Sequence, residues 1–366
     1  MNYSVKLYAY IPPPLYGGVT VYVKRLALSL CKLGYPSGAF YIDKLVGVPR
    51  EYSKFFDKMV KHARSFYILP ELIYLYKICK DYQLIHSHLS LNAILGMWVV
   101  HKLQKKPLII TIHNEMIEKE LEGMNFLDLA CIRSLFKDEM VQIICVSKRA
   151  KELLEEKFTF FKNEIKIIPA YIKPVEIGMP ADYLSESLIH FMEEHKRYIV
   201  FYAESFAENK GIDIYGTKDC INAFISIRKL FPDVSLVFCM PNVNNYEKIE
   251  ELKRIILNNN LSEYVYWQTS PLTEMWPLLK KAAVYLRTTS TDGDSVLLRE
   301  ALGLGVPSLA SDIVKRPNSC ILYKYGDSHD LEKHLIDILQ HPTFPIPSNQ
   351  DYFQEMLEIY KSFIKI

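Results

Sequence analysis

Short runs of β-branched and aromatic residues alternate along this chain with longer stretches in which apolar positions recur every three or four residues. That is the pattern of parallel strands joined by crossover helices. Residues 5–11 read as the first strand and 19–33 as the helix behind it. Residues 40–43, 84–88, 108–113 and 142–147 read as further strands, and 165–174 closes the first half. Apolar density falls between 174 and 194, where prolines and acids collect, which marks a linker. The rhythm restarts with strands at 197–205, 235–240, 263–269, 283–289 and 307–311. Between them lie helical stretches at 218–230, 246–258, 273–281 and 296–304. The pattern predicts an α/β chain of two doubly wound, Rossmann-like sheets in tandem: an N-terminal domain over 1–175, a linker over 176–195 and a C-terminal domain over 196–345. An amphipathic helix over 346–366 is expected to pack back toward the N-terminal domain. Ligands of such sheets bind in the crevice outside the carboxyl ends of the strands.

Composition narrows the partner. With 366 residues, 49% of them hydrophobic, the chain has material for two cores, and single cores stop growing at roughly 250–300 residues. A formal net charge of +2 provides no basic field for a polyanion, so nucleic acid is not expected as a partner. The seven cysteines contain no C-x-x-C pair and lie mostly in apolar runs. They read as buried thiols in a reducing compartment. No charged-then-apolar signal region opens the sequence and no window approaches 18 uninterrupted apolar residues, so a cytoplasmic protein is expected. No strand is followed by G-x-G-x-x-G, which disfavours a dehydrogenase.

The most informative stretch is "TDGDSVLLREALGLGVPSLASD", residues 291–312. If Ser295 caps the helix behind it, the backbone N–H groups of Val296 to Leu298 are left at a helix start, where the dipole favours an anion. Asp292 and Asp294 precede that seat and Glu300 follows it, so carboxylates able to accept from sugar hydroxyls flank a place for phosphate. The same residues also read as a plain N-cap with surface acids, with Gly303, Gly305 and Pro307 as a helix stop. Spacing alone leaves both readings open.

Asp292-x7-Glu300 followed by "EALGLGVPSLASD" resembles the E-x7-E element of the retaining glycosyltransferases of the GT-B fold, family 4, and in particular a bacterial surface-polysaccharide-like branch. "YGGVTVYVKRLALSL" (16–30) looks like that family's first glycine-rich loop and helix, with Gly17 and Gly18 letting backbone approach the donor. "LIHSHLS", "TIHNE", "ICVSKRAKELL" and "KIIPAYIKP" follow in the family's order. The resemblance implies two Rossmann-like domains facing across a cleft. It implies transfer of a hexose-type sugar from a UDP- or GDP-linked donor to a hydroxyl, with retention and without a metal or other cofactor. The setting would be polysaccharide or glycoconjugate biosynthesis. It casts His113, Asp292 and Glu300 as the catalytic residues, with Glu300 on the ribose and Asp292 and His113 on the donor sugar. It casts Gly17, Gly18, Lys210, Arg287, Asp294, Ser295, Val296 and Leu297 as donor-binding. His86 and His88 are expected to be structural, their ring N–H groups bonded to backbone.

The chain departs from the family at the start of the second domain. Ala203 and Glu204 stand where the family has Gly-Arg, so the arginine that meets the pyrophosphate is missing. Lys210-Gly211 matches the family's Lys-Gly by eye, yet counting back from the helix puts Tyr215-Gly216 in that register. Lys210, Lys218 and Arg287 are the cations left to serve. The mixed basic and aromatic segment 51–82 suggests peripheral contact with a membrane and a saccharide or lipid-linked saccharide acceptor. Two other classes stay open: a non-catalytic GT-B carbohydrate-binding or partner protein, and a sugar-nucleotide epimerase.

Overall fold

A computed structural model describes residues 5–8, 18–35, 37–38, 40–41, 57–58, 76–77, 79–88, 94–113, 121–176, 178–209, 211–292, 295–342 and 351–364. The chain divides into two units, Met1–Val175 with Asp351–Ile366, and Glu176–Gln350.

The first unit is built on a six-stranded sheet in the order Ser37–Gly38, Val5–Tyr8, Leu84–Ser87, Leu108–Ile112, Val141–Cys145, Lys166–Ile167. All its pairings are parallel. Leu84–Ser87, Leu108–Ile112 and Val141–Cys145 are buried at every position. They therefore read in the sequence as unbroken apolar runs, as strands covered on both faces do. Alternate residues serve opposite faces. Ile85, Leu108 and Ile110 pack with Met97 and Val100 of the helix Ile94–Gln104 and with Ile132 and Leu135 of the helix Phe126–Phe136. Leu84 and Ile109 join Val5 and Leu7 against the helix Gly18–Lys32.

The C-terminal helix Phe353–Phe363 closes that second face. Phe353, Met356, Leu357 and Tyr360 recur at helical spacing, forming one stripe, and all four are buried in the first unit's core. Fully burying each apolar side chain is worth roughly 1.5–3 kcal/mol.

The second unit has a parallel sheet ordered Val265–Gln268, Val234–Cys239, Arg197–Tyr202, Val284–Arg287, Ser308–Ser311, Ile321–Tyr323. In chain order this is 3-2-1-4-5-6, a doubly wound sheet whose direction of progress reverses between Arg197–Tyr202 and Val284–Arg287. The last strand, Ile321–Tyr323, and the helix Ser328–Gln340 after it were not anticipated individually.

Three expectations need correction. Residues 176–195 are not a bare linker: Glu186–Glu194 is a helix, and Leu184, Leu188, Phe191 and Met192 are buried with Tyr198 and Val200 in the second unit's core. The low apolar density hid a spaced stripe. The expected helix at 273–281 contracts to Trp276–Leu279, where Pro277 suits a first turn but donates no N–H. The loop after Arg197–Tyr202 carries a small antiparallel hairpin, Glu208–Asn209 with Ile212–Asp213. The membrane-contact segment 51–82 lies mostly outside the described residues. Among the described residues, no helix is long and apolar enough to cross a membrane. All seven cysteines are free and buried.

Candidate functional site

In the second unit the loops following Arg197–Tyr202, Val284–Arg287 and Ser308–Ser311 leave the carboxyl edge of the sheet beside its reversal point. Arg287 ends its strand almost fully buried. It donates from Nε to Asp292 Oδ2 and from Nη2 to Asp292 Oδ1, each at 2.9 Å. Arg316, from the loop after Ser308–Ser311, donates from Nη1 to Asp292 Oδ2 at 2.6 Å. Its other nitrogens are fastened to Thr289 Oγ1 at 3.1 Å and to the Ser311 carbonyl at 3.3 Å. Burial works to raise the Asp292 pKa, but the two guanidinium groups outweigh it and hold the carboxyl below the usual carboxylate range. Two cations and one anion leave the cluster one net positive charge. Nη1 of Arg287 does not bond Asp292, and the Tyr285 hydroxyl lies beside the guanidinium. The Tyr215 ring lies 5.7 Å from the Arg287 guanidinium carbon, within cation–π range.

The helix Val296–Gly303 begins in the same loop. Ser295 is extended and its Oγ accepts from the Leu298 N–H at 3.3 Å. The cap thus consumes one of the three N–H groups expected to be open. Those of Val296 and Leu297 have no partner among the described residues, and they sit at the positive end of the helix dipole. Gly305, at φ 76°, ends this helix: its N–H reaches the Leu302 carbonyl at 3.0 Å, and the Val306 N–H reaches that of Ala301 at 2.9 Å. That is a Schellman stop. Glu300 is buried, 2% exposed, in the second turn.

The loop over 203–216 is zipped onto this site. Thr288 Oγ1 donates to the carbonyls of Tyr215 and Gly216, and the Ser290 N–H to that of Ile214. Gly216 has φ +65°, and a Cβ there would lie 2.3 Å from the Thr288 carbonyl oxygen, so only glycine fits. It stands immediately before the helix Thr217–Leu230, which puts Tyr215 where the resembling family has its lysine. Glu204, in the arginine's place, accepts from Tyr202 Oη at 2.6 Å. Lys218 is committed elsewhere, paired with Glu251 at 2.8 Å on the surface. Gly17, Lys210 and Asp294 lie outside the described residues, and Gly18 opens the first helix as an exposed residue. Arg316 was missed in the sequence, since a basic residue in "VKRPN" carries no local signal.

In the first unit, His113 follows Leu108–Ile112 and His88 follows Leu84–Ser87, both at the carboxyl edge of the sheet. His88 Nδ1 and His113 Nε2 are 3.0 Å apart. His86 Nε2 lies 2.7 Å from Thr111 Oγ1, and its Nδ1 lies 2.7 Å from Tyr360 Oη on the C-terminal helix. The expectation that His86 and His88 bond to backbone is therefore corrected: their partners are side chains. Tyr22 lies edge-on to His88 and His113, with ring centroids 5.6 and 5.3 Å away. Burial lowers the pKa of all three histidines, that of His113 to about 4. His113 is partly exposed.

Residues 16–174 match the family model Glycosyltransferase Family 4. A search of curated proteins gave no match. Among solved structures, a glycosyltransferase from Rickettsia africae is similar at TM-score 0.67 and 14% identity, covering 100% of this chain and 99% of its own. HepE of Anabaena, solved with UDP and glucose, is similar at TM-score 0.61 and 12% identity, covering 99% and 95%. A putative UDP-N-acetylglucosamine 2-epimerase from Listeria monocytogenes is similar at TM-score 0.62 and 14% identity, covering 99% and 96%. Identities this low speak to fold alone. The chain has the GT-B fold over both units, and the family match rests on residues 16–174.

Proposed function

We propose that the protein transfers a sugar from a UDP- or GDP-linked donor to a hydroxyl acceptor, with retention and without a metal ion. The observation that carries this reading is that one strand end and the loop after it supply two helix-start N–H groups without a partner among the described residues and a buried guanidinium. Such a surface suits a diphosphate. The UDP bound to HepE supports a nucleotide donor.

In this reading Arg287, Val296 and Leu297 stabilise the charge that develops on the leaving diphosphate, which is electrostatic catalysis. Asp292 acts by holding Arg287 and Arg316, to which it presents both its oxygens. Glu300 accepts from the ribose and His113 hydrogen-bonds a sugar hydroxyl. Gly17, Gly18, Lys210 and Asp294 keep the donor-side roles that the resemblance implies. The acceptor is a saccharide or lipid-linked saccharide, reached with peripheral membrane contact through 51–82. The setting is cytoplasmic and belongs to polysaccharide or glycoconjugate synthesis.

Calorimetric titration with UDP, GDP and ADP, followed by transfer assays with UDP- and GDP-sugars, tests the reading. Nucleotide binding that Arg287→Met weakens, together with acceptor-dependent product, is the expected result. No binding of any nucleotide at millimolar concentration would defeat it. A sugar product formed without an acceptor would point to an epimerase, and binding without turnover to a non-catalytic protein.

A further inference from the structure

The proposed chemistry leaves His88 unused. The residue is 6% exposed, its Nδ1 faces His113 Nε2 at 3.0 Å, and its Nε2 is sealed without a hydrogen-bond partner among the described residues. His113 makes no other hydrogen bond among the described residues, so its Nδ1 is the nitrogen left over. Two neutral imidazoles can share one hydrogen bond only when one ring brings N–H and the other a lone pair. The tautomer of His88 and that of His113 are thus fixed together.

We propose that His88 is the positioning residue of His113, spending His113 Nε2 in a ring-to-ring hydrogen bond so that Nδ1 alone is presented to ligand. The assignment rests on the reading of His113 as a ligand contact. The surroundings hold the pair in place. His86 lies 4.0 Å from His88, centroid to centroid, and is pinned at both nitrogens by Thr111 and Tyr360. Tyr22 covers the edges of both rings.

The arrangement also limits what His113 does. A catalytic histidine that serves as a base is ordinarily backed by a carboxylate, which stabilises the imidazolium. Here the backing group is a second neutral imidazole, and among the described residues no carboxylate bonds either ring. Among the described residues the titratable groups that face the pair are Tyr22, His86 and, beyond His86, Tyr360. None supplies negative charge at neutral pH. On these contacts His113 meets its ligand as an oriented, uncharged hydrogen-bonding group.

Histidine nitrogen NMR on the full-length, nitrogen-15-labelled protein without ligand provides the direct test. A scalar coupling across the hydrogen bond between His88 Nδ1 and His113 Nε2 is expected, and its loss in His88→Leu. Its absence in the wild-type protein would overturn the proposal. In transfer assays His88→Leu should lower kcat on the order of tenfold or more with the donor KM little changed, and His88→Asn, which keeps a polar atom near the Nδ1 position, should restore most of it. Equal kcat in His88→Leu and wild type would also overturn the proposal. His88→Leu and His88→Asn are compared only after each shows the wild-type circular dichroism and urea midpoint. A coupling that is present while no nucleotide sugar shifts the His113 resonances sinks the proposed function and leaves the His88–His113 pairing standing.

Discussion

At the scale of single residues, the decisive arrangement is one carboxylate between two guanidinium groups. The Asp292 side chain is 9% exposed and those of Arg287 and Arg316 are 10% and 2% exposed. A buried pair that loses one partner leaves an uncompensated charge, which costs about 3–5 kcal/mol. Asp292→Asn would leave two buried cations facing each other, so it should lower stability by about that amount with no ligand present. A urea midpoint equal to that of wild type would contradict the cluster. Arg287→Met differs in kind, because Arg316 still neutralises Asp292. Its main effect should fall on nucleotide affinity, a weakening of about 1.5–3 kcal/mol for a lost charged hydrogen bond, read by titration calorimetry. Opposite rankings of the two variants in stability and binding would reverse the roles assigned to these residues.

At the scale of elements, the site depends on how two loops begin their helices. Gly216 adopts φ +65° with its Cα against the Thr288 carbonyl. Gly216→Ala must move the 203–216 loop away from Thr288, and a loss of about 1–3 kcal/mol is expected from the backbone strain alone. Ser295→Ala removes only the cap to Leu298 and should cost about 1 kcal/mol. If thermal melts rank the two variants the other way, the zipping of these loops is wrong. Such local features were legible beforehand: the Ser295 cap and the glycine stop at 305 depend on neighbours within six residues. The features that escaped were made by distance. Arg316 lies 24 positions from Asp292, His88 lies 25 from His113, and Tyr360 lies 274 from His86. In each case sheet pairing or docking of the last helix supplies the partner, and nothing in local composition marks it. The helix Glu186–Glu194 escaped for another reason: its buried positions, Leu188, Phe191 and Met192, are diluted by charged neighbours.

At the scale of the whole molecule, acid should act unevenly on the two units. The first unit holds His86, His88 and His113 neutral: burial lowers the first two well below the ordinary value of 6.5 and His113 to about 4. Once unfolded, the same rings would titrate near 6.5. Between those limits the unfolded chain binds protons that the folded unit refuses, so stability is complete above about pH 6.5 and falls as pH drops toward 4. Each ring contributes a slope of about 1.4 kcal/mol per pH unit, so three together give at most about 4 kcal/mol per unit. Asp138, drawn down to about 2 by Lys102, the Met140 N–H and His101 against the opposing pull of burial, loses its contribution only at lower pH, as the medium passes below 3.8. The window from 6.5 to 4.5 therefore belongs to the histidines. Trp98 packs against the first unit's core, whereas Trp267 and Trp276 belong to the second. With Trp267 and Trp276 replaced by Phe, Trp98 fluorescence reports the first unit alone. Its urea midpoint should fall steeply between pH 7 and pH 5, and a midpoint that stays level across that interval would mean that the three rings are not held neutral in the folded chain.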